Sequence, residues 1–125
     1  MVLGIGVDIV VIRDMQKALN RFSQRLKDRL FTPAEQEICE ARSNPAVHYS
    51  GKFAAKESFL KALRREDRQG ISWLDIEALN TDGGQPYLKF SGAARKAVQE
   101  KDGTALLSLS HSGGYAVAFC LLQKD

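Results

Sequence analysis

Asp8 is the sole charge among the first twelve residues, in an alternation that puts Leu3, Ile5, Val7 and Ile9 on one face of a strand and Gly4, Gly6, Asp8 and Val10 on the other. A carboxylate enclosed there needs a cation, a metal or an opening to water, because even a neutral polar group buried alone costs about 2–7 kcal/mol. The plainer alternative is a solvated strand residue. Glu57 lies in Phe53-Ala54-Ala55-Lys56-Glu57-Ser58-Phe59-Leu60-Lys61-Ala62-Leu63. A turn of about 100° per residue aligns Tyr49, Phe53, Leu60 and Leu63 on one helical stripe, with Lys56 inside it and Glu57 at its border. Lys61 follows Glu57 by four residues, the spacing of a helical ion pair. One reading is a snorkelling lysine beside an ordinary surface pair. The sharper reading brings a carboxylate and the ammonium groups of Lys52, Lys56 and Lys61 to one pocket edge. Together with Asp8, that set suits a magnesium ion, which takes one or two protein carboxylates, keeps several waters and binds phosphate, while lysines act as point charges on phosphate oxygens. Asp8 and Glu57 are therefore the expected metal ligands, with Lys61 beside them as the third catalytic candidate.

His111 stands in Ser108-Leu109-Ser110-His111-Ser112-Gly113-Gly114, between two apolar runs, and reads as part of a polar hairpin tip. It is either an ordinary surface histidine or, with Ser110 and Ser112, a donor to a phosphate near free backbone amides. No Gly-x-x-x-x-Gly-Lys-Ser loop and no Gly-x-Gly-x-x-Gly turn occurs, so neither of those nucleotide sites is supported. His48 has no ligand partner at helical spacing and reads as a surface or packing residue.

Positioning these side chains falls to a small set of elements. Val2 to Ile12 reads as a buried first strand, whose glycines invite close approach of another backbone or a ligand. Met15, Leu19, Phe22, Leu26 and Leu30 recur at helical spacing, with Arg13, Lys17, Arg21 and Arg25 as a neighbouring basic stripe. Thr32-Pro33-Ala34-Glu35 announces a second helix through a capping box, to stop by Ser43-Asn44-Pro45. His48 to Arg65 has helical periodicity, Trp73 to Leu79 is strand-like, and Asn80 to Gly84 turns the chain into a strand over Pro86 to Phe90. Ser91 caps a short helix to about Lys101. Two strands, about Ala105 to Ser110 and Tyr115 to Leu122, close the order. The architecture is α+β, a small and largely antiparallel sheet packed against helices, in a single domain over residues 1–125.

A chain of 125 residues that is 44% hydrophobic and 26% charged excludes disorder and collagen-like repetition, and can bury a core without staples. Cys39 and Cys120 are far apart in apolar surroundings, which suggests reduced core thiols rather than a disulfide or zinc site. No apolar run approaches a membrane span, and the opening residues lack the basic segment and cleavage site of a signal peptide. The expectation is a cytoplasmic protein without a membrane partner. Charge is uneven: Arg13 to Arg29 holds six basic residues against Asp14 and Asp28, a net of +4 in a chain of +3. Whatever meets that segment is expected to be acidic.

Three segments together resemble the phosphopantetheinyl transferase family. Gly6-Val7-Asp8-Ile9-Val10-Val11-Ile12 is similar to its amino-terminal motif, the run Phe53 to Leu63 to its central motif, and Ser108-Leu109-Ser110-His111-Ser112 to its third. The match runs from residue 1 to about residue 122, and the length points to the family's short branch. The resemblance implies magnesium-assisted transfer of the 4′-phosphopantetheine arm of coenzyme A to a serine of acyl carrier protein, with release of adenosine 3′,5′-bisphosphate, in support of fatty acid biosynthesis. It implies that Asp8 and Glu57 ligate the metal and that Lys61 and His111 contact coenzyme A phosphates, with Lys52, Lys56 and Ser112 as further candidates for that contact. It implies that Arg13 meets the carrier protein, where Lys17, Arg21 and Arg25 extend the basic stripe toward an acidic partner. It implies a homotrimer with sites between protomers. Two departures stand out. The family commonly has arginine where Lys52 stands, and lysine cannot grip a phosphate bidentately. The family also turns through glycine after Lys61-Ala62-Leu63, where this chain continues Arg64-Arg65-Glu66-Asp67, so a longer helix is expected. Two other classes stay in view: a nucleic-acid-binding module using the basic helix, which lacks interleaved aromatics and is set below the expectation of no nucleic acid, and a magnesium-dependent phosphohydrolase using the same carboxylates.

Overall fold

The computed structural model describes residues 1–125. β1 (Val2–Val11) pairs antiparallel with β5 (Tyr115–Lys124), which pairs on its other side with β4 (Gly103–Ser112), while β2 (Ile76–Asn80) and β3 (Pro86–Phe90) form a separate antiparallel pair. The helices are α1 (Ile12–Leu30), α2 (Pro33–Glu40), α3 (Pro45–Ala62) and α4 (Gly92–Glu100). The α+β architecture with antiparallel sheets against helices is the expected one. No helix is long and apolar enough to cross a membrane.

Two glycines decide how β1 lies. A Cβ on Gly4 would stand 2.0 Å from the Ala62 carbonyl oxygen, and one on Gly6 would stand 1.9 Å from that of Ser58. Only bare backbone lets α3 come this close. The glycine side of β1 is therefore the packed side. This reverses the expected burial: Ile5, Val7 and Ile9 are 59%, 56% and 61% exposed, and the first strand is not buried on both faces. Directly opposite residues share a face, so Ile5, Leu121 and Leu106 form one row of the open face and Val7, Phe119 and Ser108 the next. On the packed face, Asp8 shares a row with Ala118 and Leu109, and His111 with Ala116.

Two clusters hold the helices to this frame. Phe59, Leu63, Ile76, Val98, Cys120 and Leu122 join α3, α4 and the strands, and Met15, Leu19, Phe31, Cys39 and Tyr49 join α1, α2 and α3. Burial pushes both thiols, Cys39 and Cys120, up to about 12. The Thr32–Glu35 capping box is present as expected, and Glu35 goes further: its second oxygen accepts from the Ala78 amide, which ties α2 to β2.

Other expectations are corrected. Ser23 (φ 51, ψ −134) breaks the helical path inside α1, and Phe22, just before the break, is half exposed rather than on the buried face. α3 starts at Pro45 and ends at Ala62, with extended Leu63 as its cap, so the Arg64–Asp67 stretch does not lengthen it and instead enters a 3-10 turn over Arg65–Arg68. Trp73–Asp75 is likewise a 3-10 turn, and β2 begins only at Ile76. Ser91 caps α4 by position without a side-chain hydrogen bond. Gly113 and Gly114, at φ 56 and 86, form a two-residue turn, which places His111 inside β4 rather than at the hairpin tip.

Candidate active site

Asp8 reaches α3 from the packed face of β1, two residues beyond the Gly6 contact. Its Oδ1 accepts from Lys61 Nζ at 2.9 Å, and the same ammonium donates to the Val7 carbonyl at 3.1 Å. The Asp8 side chain is largely enclosed, whereas that of Lys61 is half exposed, so the pair opens to solvent on the lysine side. Glu57 precedes Lys61 by one helical turn and is half-buried. Burial raises the Glu57 carboxyl above its ordinary value, the negative charge of Asp8 adds to the rise, and Lys61 and Arg68 oppose it. Two carboxylates from different elements thus press on one another at a solvent edge.

That donor set fits a hard divalent cation with an incomplete protein shell. It offers carboxylate oxygens whose repulsion a cation relieves, and no group of three or more ligating side chains is gathered anywhere in the molecule. Magnesium commonly binds in this way, through one or two carboxylates with water and phosphate completing the octahedron.

The other flank of α3 holds a second cluster. His48 and Lys52 from α3, Arg42 from the α2–α3 connection, and Ser110 and His111 from β4 line a cavity of about 230 Å³. Lys52 is buried against the wall, donates to the Ala78 carbonyl, and is pulled below the ordinary lysine value by burial. Ser112 does not join this wall: it pairs with Tyr115 and lies on the opposite face of β4 from His111. Arg42 and His48 are missing from the expected set. The available signal for His48 is its four-residue spacing from Lys52; Arg42 has none in the sequence.

Lys56 belongs to neither cluster, and its expected contact with coenzyme A is corrected. It is fully buried, with Nζ donating to Glu35 Oε1 at 2.6 Å, to the Leu30 carbonyl at 2.7 Å and to the Trp73 carbonyl at 3.1 Å. Three donors are spent on three acceptors, leaving none for a phosphate. Burial lowers its ammonium from the ordinary lysine range, and the Glu35 carboxylate opposes the shift.

Arg13, Lys17, Arg21 and Arg25 are all exposed along α1, with the Ser23 break interrupting the stripe before Arg25. Arg21 covers the Phe22 ring at 5.1 Å. Arg13 lines a surface cleft of about 520 Å³ with Gln16, Asn44, Gly113, Gly114 and Tyr115, at the point where the Ile12 amide bonds the Gly114 carbonyl.

Known proteins share this sequence and frame. Residues 4–120 match the model of the 4′-phosphopantetheinyl transferase superfamily. A holo-[acyl-carrier-protein] synthase of Geobacter sp. strain M21 is 46% identical over 125 residues, 99% of this chain and all of that protein. The crystal structure of holo-[acyl-carrier-protein] synthase from Neisseria meningitidis superposes with a TM-score of 0.87 at 28% identity, covering 99% of this chain and all of the other. That of a holo-(acyl-carrier-protein) synthase from Bacillus anthracis, in complex with CoA (3′,5′-ADP), gives 0.78 at 31% identity, over all of this chain and 99% of the other.

Proposed function

The chain belongs to the 4′-phosphopantetheinyl transferase superfamily, and from that premise we propose that it moves the phosphopantetheine arm of coenzyme A onto a serine hydroxyl of acyl carrier protein. Adenosine 3′,5′-bisphosphate leaves, and the holo carrier serves fatty acid biosynthesis in the cytoplasm. The observation that carries this reading is the meeting of Asp8 and Lys61 at 2.9 Å beside Glu57, an assembly suited to a diphosphate under attack. The full-length likeness to synthases of this kind, one of them bound to coenzyme A, supports the substrate pair.

Asp8 and Glu57 would hold magnesium, which when bound supplies positive charge against the diphosphate oxygens. Lys61 is anchored by Asp8 and the Val7 carbonyl, so its ammonium is held in place before charge develops on the leaving phosphate; such preorganised charge needs no rearrangement at the moment of reaction. Lys52, Arg42 and His111 would take the distal phosphate of the nucleotide. Their cavity, about 230 Å³, is smaller than the roughly 300–1,000 Å³ typical of whole-ligand sites, and suits one end of a long ligand.

Lys52 and Glu57 are five residues apart on α3, hence about 140° around the helix from one another. A single ligand touching both kinds of group is best accommodated by two copies of the chain, one offering the carboxylates and the other the basic cavity. We therefore extend the proposal to a homotrimer with sites between protomers. The exposed α1 arginines and Lys17 would face the acidic carrier.

Intact-mass spectrometry of apo carrier protein incubated with this protein, coenzyme A and magnesium tests the reading. The carrier should gain the mass of one phosphopantetheine arm, a chelator should stop it, and Glu57→Ala should slow it about a hundredfold or more. Unchanged turnover of Glu57→Ala at limiting magnesium would reject the metal assignment. Release of free phosphopantetheine without any carrier would replace transfer with hydrolysis.

A further inference from the structure

His48 faces the basic cavity together with Arg42 from the α2–α3 connection, Lys52 from α3 and His111 from β4, and no carboxylate lines that space. A wall made of two imidazoles, a guanidinium and an ammonium, with no acid among its lining residues and with Glu35 and Glu77 acting on Lys52 from outside it, is poised for an anion. Lys52 already gives one donor to the Ala78 carbonyl, so it meets an incoming ligand as a partly committed point charge. A second directional donor on α3, one turn before it, is what His48 offers. We propose that His48 is a phosphate-binding residue of this cavity, and that it acquires its proton together with the ligand.

The physical case has two halves. In the free protein everything that faces the ring opposes a charge on it: burial first, then Arg42, His111 and Lys52, which together hold its titration below 6.5. At neutral pH the imidazole is therefore predominantly neutral and adds no further charge beside Arg42 and Lys52. A phosphate monoester in the cavity reverses the sign of the local field. Protonation then becomes favourable, and the imidazolium donates to a phosphate oxygen. Because the bound form holds the proton more tightly than the free form, the gain in affinity is complete below the free midpoint and lost as pH rises through the bound one. The proposal rests on the transferase reading only for the identity of the phosphate's carrier.

NMR titration of the His48 Cε1–H between about pH 5 and 9 tests it, on the protein alone and on the protein saturated with adenosine 3′,5′-bisphosphate or with inorganic phosphate. The midpoint should rise by about one unit or more with either anion, which corresponds to about tenfold tighter binding at the acid end than at the alkaline end. His48→Gln, at a half-buried position, should bind the bisphosphate about tenfold more weakly near pH 5 and equally near pH 8.5. An unmoved midpoint at saturation, an identical pH dependence in His48→Gln, or no binding of either anion overturns the assignment. A midpoint that rises with inorganic phosphate while coenzyme A fails to bind retains it, and removes the proposed donor instead.

Discussion

Arg13 opens α1 beside the Gly113-Gly114 turn, exposed and outside every ion pair of the chain, so its charge is free to meet a docking partner. It lines a cleft that shares no residue with either the Asp8–Lys61 pair or the basic cavity, and this separates its effect from theirs. Arg13→Glu should raise the KM for acyl carrier protein about tenfold or more, with a steeper salt dependence lost, and leave the KM for coenzyme A within about twofold, as expected of a charge at a partner's rim. Steady-state kinetics with each substrate varied in turn decides it; equal losses toward both would assign Arg13 to the nucleotide pocket. At this scale the sequence is legible where a charge has few ways of being satisfied. Asp8 in an apolar strand and the Glu57/Lys61 spacing lead directly to one another in space. Lys56 misleads because a stripe position says that a side chain points inward and says nothing of what awaits it there. Its carboxylate partner comes from α2, 21 residues earlier, and its carbonyls from Leu30 and Trp73. His48 offers only its spacing from Lys52 for the same reason, since its neighbour His111 arrives only when β4 folds beside α3.

The Lys56–Glu35 pair is the joint by which α3, α2 and β2 keep a common register. Glu35 closes the α2 cap with one oxygen, shares that oxygen with Lys56, and uses the other to hold the Ala78 amide, whose own carbonyl binds Lys52. Removing the lysine alone strands a fully buried carboxylate, so Lys56→Met should cost about 3–5 kcal/mol in urea unfolding. Adding Glu35→Gln, which removes the charge and keeps an amide oxygen for a backbone donor, should recover more than half of that loss. A double variant as unstable as the single one would show that packing rather than charge dominates the site. The boundaries of elements follow local chemistry and are mostly readable: the Thr32 capping box and the double-glycine turn stand where their residues announce them. The facing of β1 is not, because alternation identifies two faces without saying which is covered. The apolar face reads as the inner one until Gly4 and Gly6 are seen to admit the Ala62 and Ser58 carbonyls of α3 into contact.

That inversion has its consequence at the scale of the whole molecule. β1, β5 and β4 present to solvent a continuous surface containing Ile5, Val7, Ile9, Leu106, Tyr115 and Phe119, each at least 40% exposed. Soluble monomers rarely leave contiguous apolar patches beyond a few hundred Å² open, and larger ones mark sites of association. On the proposed function the carboxylate pair and the basic cavity are two halves of one site, and closed rotational symmetry would bring the carboxylates of one copy to the basic cavity of the next. Val7 sits at the middle of the open face, directly across from Phe119; its side chain points away from Asp8, and only its backbone carbonyl meets Lys61. A carboxylate there stands among apolar side chains with Lys61 only at their edge, and assembly would bury it at a cost of several kcal/mol. Val7→Asp should therefore leave the secondary structure intact by circular dichroism while shifting the scattering mass from three chains to one. Turnover should fall about a hundredfold, because each separated chain keeps only half of a site whose groups must be held to within an ångström. A wild-type protein that scatters as one chain and remains fully active would refute the shared site. A Val7→Asp variant that stays trimeric would place the contact on another surface.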